Sequence, residues 1–126
     1  MTPEELNDLA MTFPGTTEEP AFGPETNVYK VAGKVFAIMQ PSLDVPQVTL
    51  KCEPGTALEL RARFSGISEG YHVNKKHWIT VLMDGSVPSD EMGDIVAHAY
   101  RRAALSLTKS VQGDLAKRGM PTDVFE

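Results

Sequence analysis

The sequence is poor in the features that mark disulfide frameworks and membrane spans. It has one cysteine, Cys52, so an intramolecular disulfide is excluded. Its longest apolar run covers only residues 35–39, and residues 1–10 are acidic and lack the basic and apolar regions of an export signal. We therefore expect a cytoplasmic protein with no membrane partner.

Motifs for catalysis and for cofactor binding are also missing. The chain has no Gly-x-Ser-x-Gly elbow, no Gly-Lys-Ser/Thr phosphate loop and no evident pair of catalytic acids. Cys52 occupies an inward position of a strand-like alternation, which is typical of a small buried side chain rather than a nucleophile. We expect a protein that is not an enzyme and that uses no cofactor.

Positive charge is scarce and unevenly distributed. The chain has 12 Lys and Arg against 17 Asp and Glu, a net charge of −5, which argues against indiscriminate binding to a polyanion. Residues 1–26 contain six acidic residues and no Lys or Arg, whereas residues 27–83 contain seven basic and four acidic residues. The cations are thus concentrated in the middle of the chain, although segments this short also vary by chance.

The first strands are predicted from a hairpin pattern. Residues 28–39 contain two apolar runs on either side of Ala32-Gly33, which is typical of a two-residue turn between antiparallel strands. That turn places Tyr29 opposite Phe36.

The remaining pattern predicts an α+β domain. Residues 47–52 alternate, with Thr49 and Lys51 on an outward face that we expect to be solvated or reserved for a partner. The predicted order is α-β-β-β-α-β-β-α, a two-layer sandwich with a mainly antiparallel five-stranded sheet and the helices on one face. We expect a single domain over residues 1–108 and a weakly ordered tail over residues 109–126.

The segment YHVNKKHWITV, residues 71–81, combines two of the three histidines, a lysine pair and the only tryptophan. If Asn74-Lys75 forms a two-residue turn, His72 and His77 lie opposite each other on one face. A zinc site needs three or four ligands, and no further His or Cys stands at a supporting spacing. We therefore expect no metal there.

A compact basic and aromatic surface is the preferred interpretation of this segment. Lysines supply charge and aromatic rings supply stacking area, the two ingredients of nucleic-acid contact, and Thr49 and Thr80 would continue the surface over the outward sheet face. The plain structural alternatives are a solvated turn for the lysines and a core position for the tryptophan. The candidate binding residues are His72, Asn74, Lys75, Lys76, His77, Trp78, Lys30 and Lys51.

Three short motifs, taken together, are typical of one family. The most specific is Asn-Lys-x-His-Trp at residues 74–78 with Asp-Gly-Ser after it; the Pro14-Gly15 turn and the Lys-x-x-x-Lys-x-Phe hairpin at residues 30–36 are weaker. Over about residues 3–108 the chain resembles the MmcQ/YjbR family of small bacterial proteins. The resemblance implies a fold like bacterial frataxin (CyaY) or the type III secretion chaperones, and it implies DNA as a ligand, because family members are labelled DNA-binding proteins.

Two functions from different classes remain open. The first is a non-enzymatic protein that binds double-stranded DNA weakly and in a salt-sensitive manner through the basic and aromatic hairpin. The alternative is a protein-interaction or chaperone-like adaptor that presents the open sheet face with Trp78 as its anchor. A pocket for an acidic metabolite beside the motif is a third possibility. We expect a monomer or a weak homodimer.

Overall fold

The computed structural model describes residues 1–20, 25–70 and 73–125, which form four helices and six strands. The helices are α1 (Pro3–Thr12), α2 (Pro54–Arg63), α3 (Ser89–Ala104) and α4 (Lys109–Lys117). The strands are β1 (Thr16–Pro20), β2 (Asn27–Val31), β3 (Lys34–Gln40), β4 (Gln47–Lys51), β5 (Ile67–Glu69) and β6 (Trp78–Leu82). No helix among these residues combines the length and the apolar character that a bilayer crossing requires.

The strands form one antiparallel sheet in the order β1-β2-β3-β4-β6-β5. The predicted α+β architecture is confirmed, with one strand more than the five expected. The additional strand is β1, whose Thr16 pairs with Val31 and whose Pro20 pairs with Asn27. Proline is tolerated there because β1 is an edge strand.

The core lies between the sheet and the helices. α3 crosses β3 and β4, α1 packs beside it and against β1, and α2 packs against β5 and β6. Apolar side chains at helical spacing on α3 are buried as a stripe, as its sequence pattern indicates. The largest fully buried side chains include Leu6, Tyr29, Phe36, Leu50, Ile95 and Tyr100.

The hairpin between β2 and β3 has the predicted turn but a different register. Ala32 and Gly33 have φ angles of +46° and +85°, the left-handed pair that a type I′ turn requires. The predicted pairing of Tyr29 with Phe36 is wrong, because the register shifts after Tyr29 and this residue pairs with Ala37. The extra residue in β3 lets both aromatic rings enter the core, where their centroids lie 6.4 Å apart.

The C-terminal segment differs from the expectation of a weakly ordered tail. Residues 109–126 contain α4, whose Leu115 is 2% exposed. Beyond that helix, Asp123 Oδ2 lies 2.7 Å from His98 Nδ1 of α3, and both side chains are buried. These contacts tie the segment to the core, and the domain boundary at residue 108 stays a prediction.

Candidate functional site

The lysine pair lies at the centre of a β-turn. The His77 amide donates to the Asn74 carbonyl at 3.2 Å, and the Lys76 amide donates to the Asn74 side-chain oxygen at 2.9 Å. Asparagine is favoured as the first residue of such turns because its side chain makes this second bond. Lys75 and Lys76 are therefore the two central residues of the turn, and both are exposed.

The predicted two-residue turn at Asn74-Lys75 is wrong. β5 ends at Glu69, which pairs with Ile79 of β6, so the connection between the two strands is longer than a two-residue turn. The expected position of His72, directly across from a second histidine, depended on the tight turn. His72 itself lies outside the described residues.

Two backbone hydrogen bonds fix the positions of Gly70 and of the turn at residues 74–77. The Cys52 amide donates to the His77 carbonyl at 2.8 Å, and the Gly70 amide donates to the Trp78 carbonyl at 3.0 Å. A Cβ atom on Gly70 would lie only 2.6 Å from Cβ of Trp78, a distance that side chains do not tolerate. Glycine at position 70 thus allows the loop backbone to lie directly against Trp78.

The turn forms one wall of a cleft of about 450 Å³ at the end of the sheet. β4 ends there, β6 begins there, and the end of α3 supplies the opposite wall. The cleft combines four of the predicted binding residues with three residues from the end of α3 and the chain just after it. Its lining residues are Lys51, Asn74, His77, Trp78, Arg102, Leu105 and Ser106.

Two cations in the cleft, Lys51 and Arg102, are bound to no carboxylate of the described residues. Lys51 pairs across strands with Trp78, and its ammonium lies 5.9 Å from the centre of the indole ring, within the range of a cation–π contact. Among the described residues, no carboxylate lies within ion-pair distance of Lys51 or Arg102. The cleft therefore presents two positive charges that an anion can approach.

Glu53, the acidic residue near these cations, is committed to a helix cap. Its carboxylate accepts hydrogen bonds from the amides of Gly55 and Thr56 at the start of α2. These two bonds, and to a smaller extent the charge of Arg102, lower the pKa of Glu53. Arg102 is therefore close enough to Glu53 for an electrostatic interaction, but the two side chains do not form an ion pair.

Two of the predicted binding lysines are ion-paired. Lys30 Nζ lies 2.5 Å from Glu19 on the neighbouring strand β1. Since adjacent strands are about 4.8 Å apart, β2 and the cleft-lining strand β4 are separated by about 10 Å. Lys75 Nζ lies 3.9 Å from Glu69, a looser contact between two exposed side chains. The structure thus keeps Lys75 at the turn and separates Lys30 from the cleft.

The outward sheet face is less solvated than predicted. Thr49 and Thr80 pair across β4 and β6 and are only 5% and 4% exposed. Their hydroxyls are hydrogen-bonded to each other at 3.2 Å. The expectation that these threonines extend the binding surface is therefore wrong, because they are covered and bond to each other.

The Cys52 thiol is buried and carries a proton. Burial, with a further contribution from the charge of Glu53, raises the pKa of Cys52 to about 12, so the thiol stays protonated at neutral pH. Its prediction as a small buried side chain is confirmed, since it is 1% exposed. Within residues 1–20, 25–70 and 73–125, no three His, Cys, Asp or Glu side chains are grouped to hold a metal ion.

Comparison with known families identifies the chain. The model of the YjbR family matches residues 11–102. The chain belongs to the YjbR family. It is 31% identical over 109 residues to the uncharacterised protein YbdF of Escherichia coli O157:H7, covering 86% of this chain and 89% of the relative. It is 33% identical over 103 residues to the uncharacterised protein YjbR of Escherichia coli K12, covering 82% of this chain and 87% of the relative.

Solved structures support the YjbR assignment. The crystal structure of Deinococcus radiodurans protein DR2400, described as a DUF419 domain, superposes with a TM-score of 0.84 at 32% identity, covering 91% of this chain and 88% of that one. A protein from Pseudomonas syringae superposes with a TM-score of 0.72 at 25% identity, covering 82% of this chain and 99% of that one. The resemblance inferred from the three motifs is confirmed.

In this YjbR-family chain, α3 supplies the part of the cleft that sequence reasoning missed. Arg102 lies off the apolar stripe of α3, which is typical of a solvated helix face. The structure instead places it on the cleft wall with Leu105 and Ser106. The sequence signal was a cation off the apolar stripe in the last turn of α3, followed by the apolar Leu105. The structure leaves Leu105 43% exposed.

Proposed function

We propose that this YjbR-family protein is a non-enzymatic DNA-binding protein that contacts phosphates through the turn at residues 74–77 and the adjoining cleft. The clustering of cations at one end of the sheet supports this proposal. Lys75 and Lys76 project at the turn, and Lys51 and Arg102 lie in the cleft behind it. Lysine and arginine in one patch are what a phosphate backbone requires, and an aromatic ring beside them adds a stacking surface.

The binding we propose is weak and depends strongly on salt. The whole chain carries a net charge of −5, so attraction is confined to this patch and is opposed by the rest of the surface. Neutralising two or three phosphates gives a slope of log K against log salt of about −2 to −3. Non-specific binding of this kind has Kd values on the order of 10⁻⁴ to 10⁻⁶ M at physiological salt.

Fluorescence anisotropy with a labelled 20-base-pair duplex, measured over a salt series, tests the proposal. We expect the double variant Lys75→Glu/Lys76→Glu to lose binding, because it reverses both charges of the turn. The matched control is Lys117→Glu/Arg118→Glu, an adjacent and exposed cation pair at the end of α4. The control should bind like the wild type. Equal affinity of the two double variants, or affinity independent of salt, would refute the proposal.

The adaptor alternative has a distinct experimental signature. It requires a protein partner captured from cell extract whose binding is lost in Trp78→Ala and is unaffected by added DNA. Such a capture, together with no DNA binding in the anisotropy assay, would replace the first proposal with the second.

A further inference from the structure

We infer that the cleft between the turn and the end of α3 binds a phosphomonoester carried by a nucleoside, as found at a strand terminus or in a free mononucleotide. The inference rests on the proposed function, because it identifies which phosphate of a nucleic acid the inner cations receive. It concerns Lys51 and Arg102, the cations inside the cleft, rather than the lysine pair at its rim.

The position of the cations distinguishes a phosphomonoester at the end of a strand from the phosphodiesters within a duplex. A volume of about 450 Å³ lies within the range of small-ligand pockets, roughly 300–1,000 Å³. Lys51 and Arg102 line the cleft and are partly buried, whereas Lys75 and Lys76 at its rim are exposed. We expect phosphodiesters within a duplex to contact mainly Lys75 and Lys76, with a smaller contribution from the cleft. A group that protrudes from the end of a strand can reach Lys51 and Arg102.

The charge of the site favours the same group. A phosphomonoester carries about −1.5 to −2 charges at neutral pH, whereas a phosphodiester carries one. The two inner cations match that charge, and the guanidinium of Arg102 has the planar fork that binds two phosphate oxygens at once. Neither cation has an ion-pair partner among the described carboxylates.

Neutral donors complete the site, and the backbone dipoles that oppose it are partly covered. The side-chain oxygen of Asn74, a residue that lines the cleft, accepts the Lys76 amide, and its NH₂ group remains as a hydrogen-bond donor. The end of α3 exposes carbonyl oxygens that repel an anion. Gln112 Nε2 donates to the carbonyl oxygen of Leu105, the C-cap residue of α3, at 3.3 Å, and this bond reduces the repulsion; it also donates to Leu107 in the following loop at 2.8 Å.

The apolar part of the cleft provides room for the nucleoside. Trp78 and Leu105 lie on the same cleft as the inner cations, and both are partly exposed. An indole ring accepts any base by stacking, because every base has a flat π-face. The combination of two cations with a partly exposed aromatic side chain distinguishes this site from a site that binds only an anion.

Three oligonucleotides of one sequence, with a phosphate at the 5′ end, at the 3′ end or at neither end, test the inference by anisotropy. We expect one phosphorylated form to bind about tenfold more tightly than the unphosphorylated form, which is what one additional charge-assisted hydrogen bond supplies. Arg102→Gln should abolish this preference and Arg102→Lys should retain part of it. Lys76→Gln, at the rim of the cleft, should lower the affinity for all three oligonucleotides by the same factor. Thermal denaturation confirms that each variant is folded.

A nucleoside monophosphate and inorganic phosphate, titrated by calorimetry, distinguish the sources of the phosphate and separate the two proposals. Binding of the free nucleotide without any DNA binding supports the cleft assignment and refutes the proposed function. DNA binding with equal affinity for all three oligonucleotides refutes the cleft assignment and leaves the proposed function intact. No binding of any probe refutes both. A terminal-phosphate preference that persists in Arg102→Gln also overturns the inference.

Discussion

His77 and His98 lie on either side of the end of β4 and make a direct comparison. The Cys52 amide donates to the His77 carbonyl, and the next amide, that of Glu53, donates to His98 Nε2 at 3.1 Å. The His98 ring is 2% exposed, whereas His77 is exposed and lines a cleft. Two histidines bonded to the consecutive residues just after β4 thus have different environments, one inside the structure and one on the surface of the cleft.

The polar atoms of His98 are all committed. Its Nε2 accepts the Glu53 amide, so the ring proton is on Nδ1 and is donated to Asp123. The Phe125 ring packs edge-on against the imidazole, with centroids 5.4 Å apart. No comparable partner holds the His77 ring within the described part of the chain. The number of internal partners, rather than residue type, separates a structural histidine from a candidate binding residue.

Removal of the buried carboxylate gives the largest effect on this comparison. Asp123→Ala leaves His98 Nδ1 without an acceptor in the core, and we expect the free energy of unfolding to fall by about 3–4 kcal/mol. Urea denaturation followed by circular dichroism measures this difference. The control is Asp114→Ala in the same segment, whose exposed ion pair with Arg118 at 3.5 Å should contribute less than about 0.5 kcal/mol. Similar losses in both variants would show that the tail is not anchored through His98.

The apolar anchor of the tail is expected to have the next largest effect. Leu115→Ala should lower the free energy of unfolding by about 2–3 kcal/mol, because the side chain is 2% exposed and its removal leaves a cavity. Leu58→Ala, at a position that is 62% exposed on α2, is the matched control and should be nearly neutral. If Leu115→Ala is as mild as its control, α4 does not belong to the cooperative unit.

Substitution of Glu53, whose amide is bonded to His98, should have a smaller effect on the free energy of unfolding, and this effect should depend on pH. Glu53→Ala removes the cap of α2 and should cost about 1 kcal/mol at neutral pH. Hydrogen bonds lower the pKa of Glu53 in the folded state below its ordinary value of 4.5. Its stabilising contribution is therefore fully present above that value and is lost as the pH falls through the folded-state pKa.

Denaturation of wild type and variant at pH 7 and at pH 3 measures the Glu53 effect. The difference between the two proteins should shrink at the lower pH. Glu59→Ala, at an exposed position of the same helix, is the control and should give a small difference at both values. A difference for Glu53→Ala that is constant with pH would contradict the capping role of the carboxylate.

The exposed histidine should have the smallest effect on stability. His77→Ala retains the backbone carbonyl that accepts the Cys52 amide, so we expect a change of less than about 0.5 kcal/mol. The same substitution at His98 should cost about 2–3 kcal/mol, because it leaves two buried polar groups unpaired. Urea denaturation measures both values. Equal losses in the free energy of unfolding for His77→Ala and His98→Ala would contradict the assignment of His98 as the structural histidine.

Local patterns predicted the parts of the fold that depend on near neighbours. The Ala32-Gly33 turn follows from residues close in sequence and is confirmed, and the buried stripe of α3 likewise reflects the spacing of residues within one segment. Strand β1 was missed because Thr-Thr-Glu-Glu-Pro has little intrinsic preference for a strand and is held by its pairing with β2. The shift after Tyr29 depends on how two aromatic rings share the core, which periodicity does not encode.

The candidate site also contains residues that local sequence could predict and residues that only the packing brings together. Asn74, His77 and Trp78 were found because they are adjacent in sequence, whereas Arg102 enters the cleft only through the packing of α3 across the sheet. The lysines were equivalent in the sequence, but Lys30 is neutralised by a carboxylate on the next strand. Ion pairing between strands depends on register, so sequence alone could not separate paired from unpaired cations.

The two edge strands of the sheet, β1 and β5, affect whether copies of this chain can pair edge to edge. β5 has three residues, and β1 carries two adjacent carboxylates and ends in a residue without an amide hydrogen. Short, charged or proline-bearing margins are poor templates for strand addition. Lateral growth of the sheet from molecule to molecule is therefore disfavoured, and protection against fibrous aggregation is built into its margins.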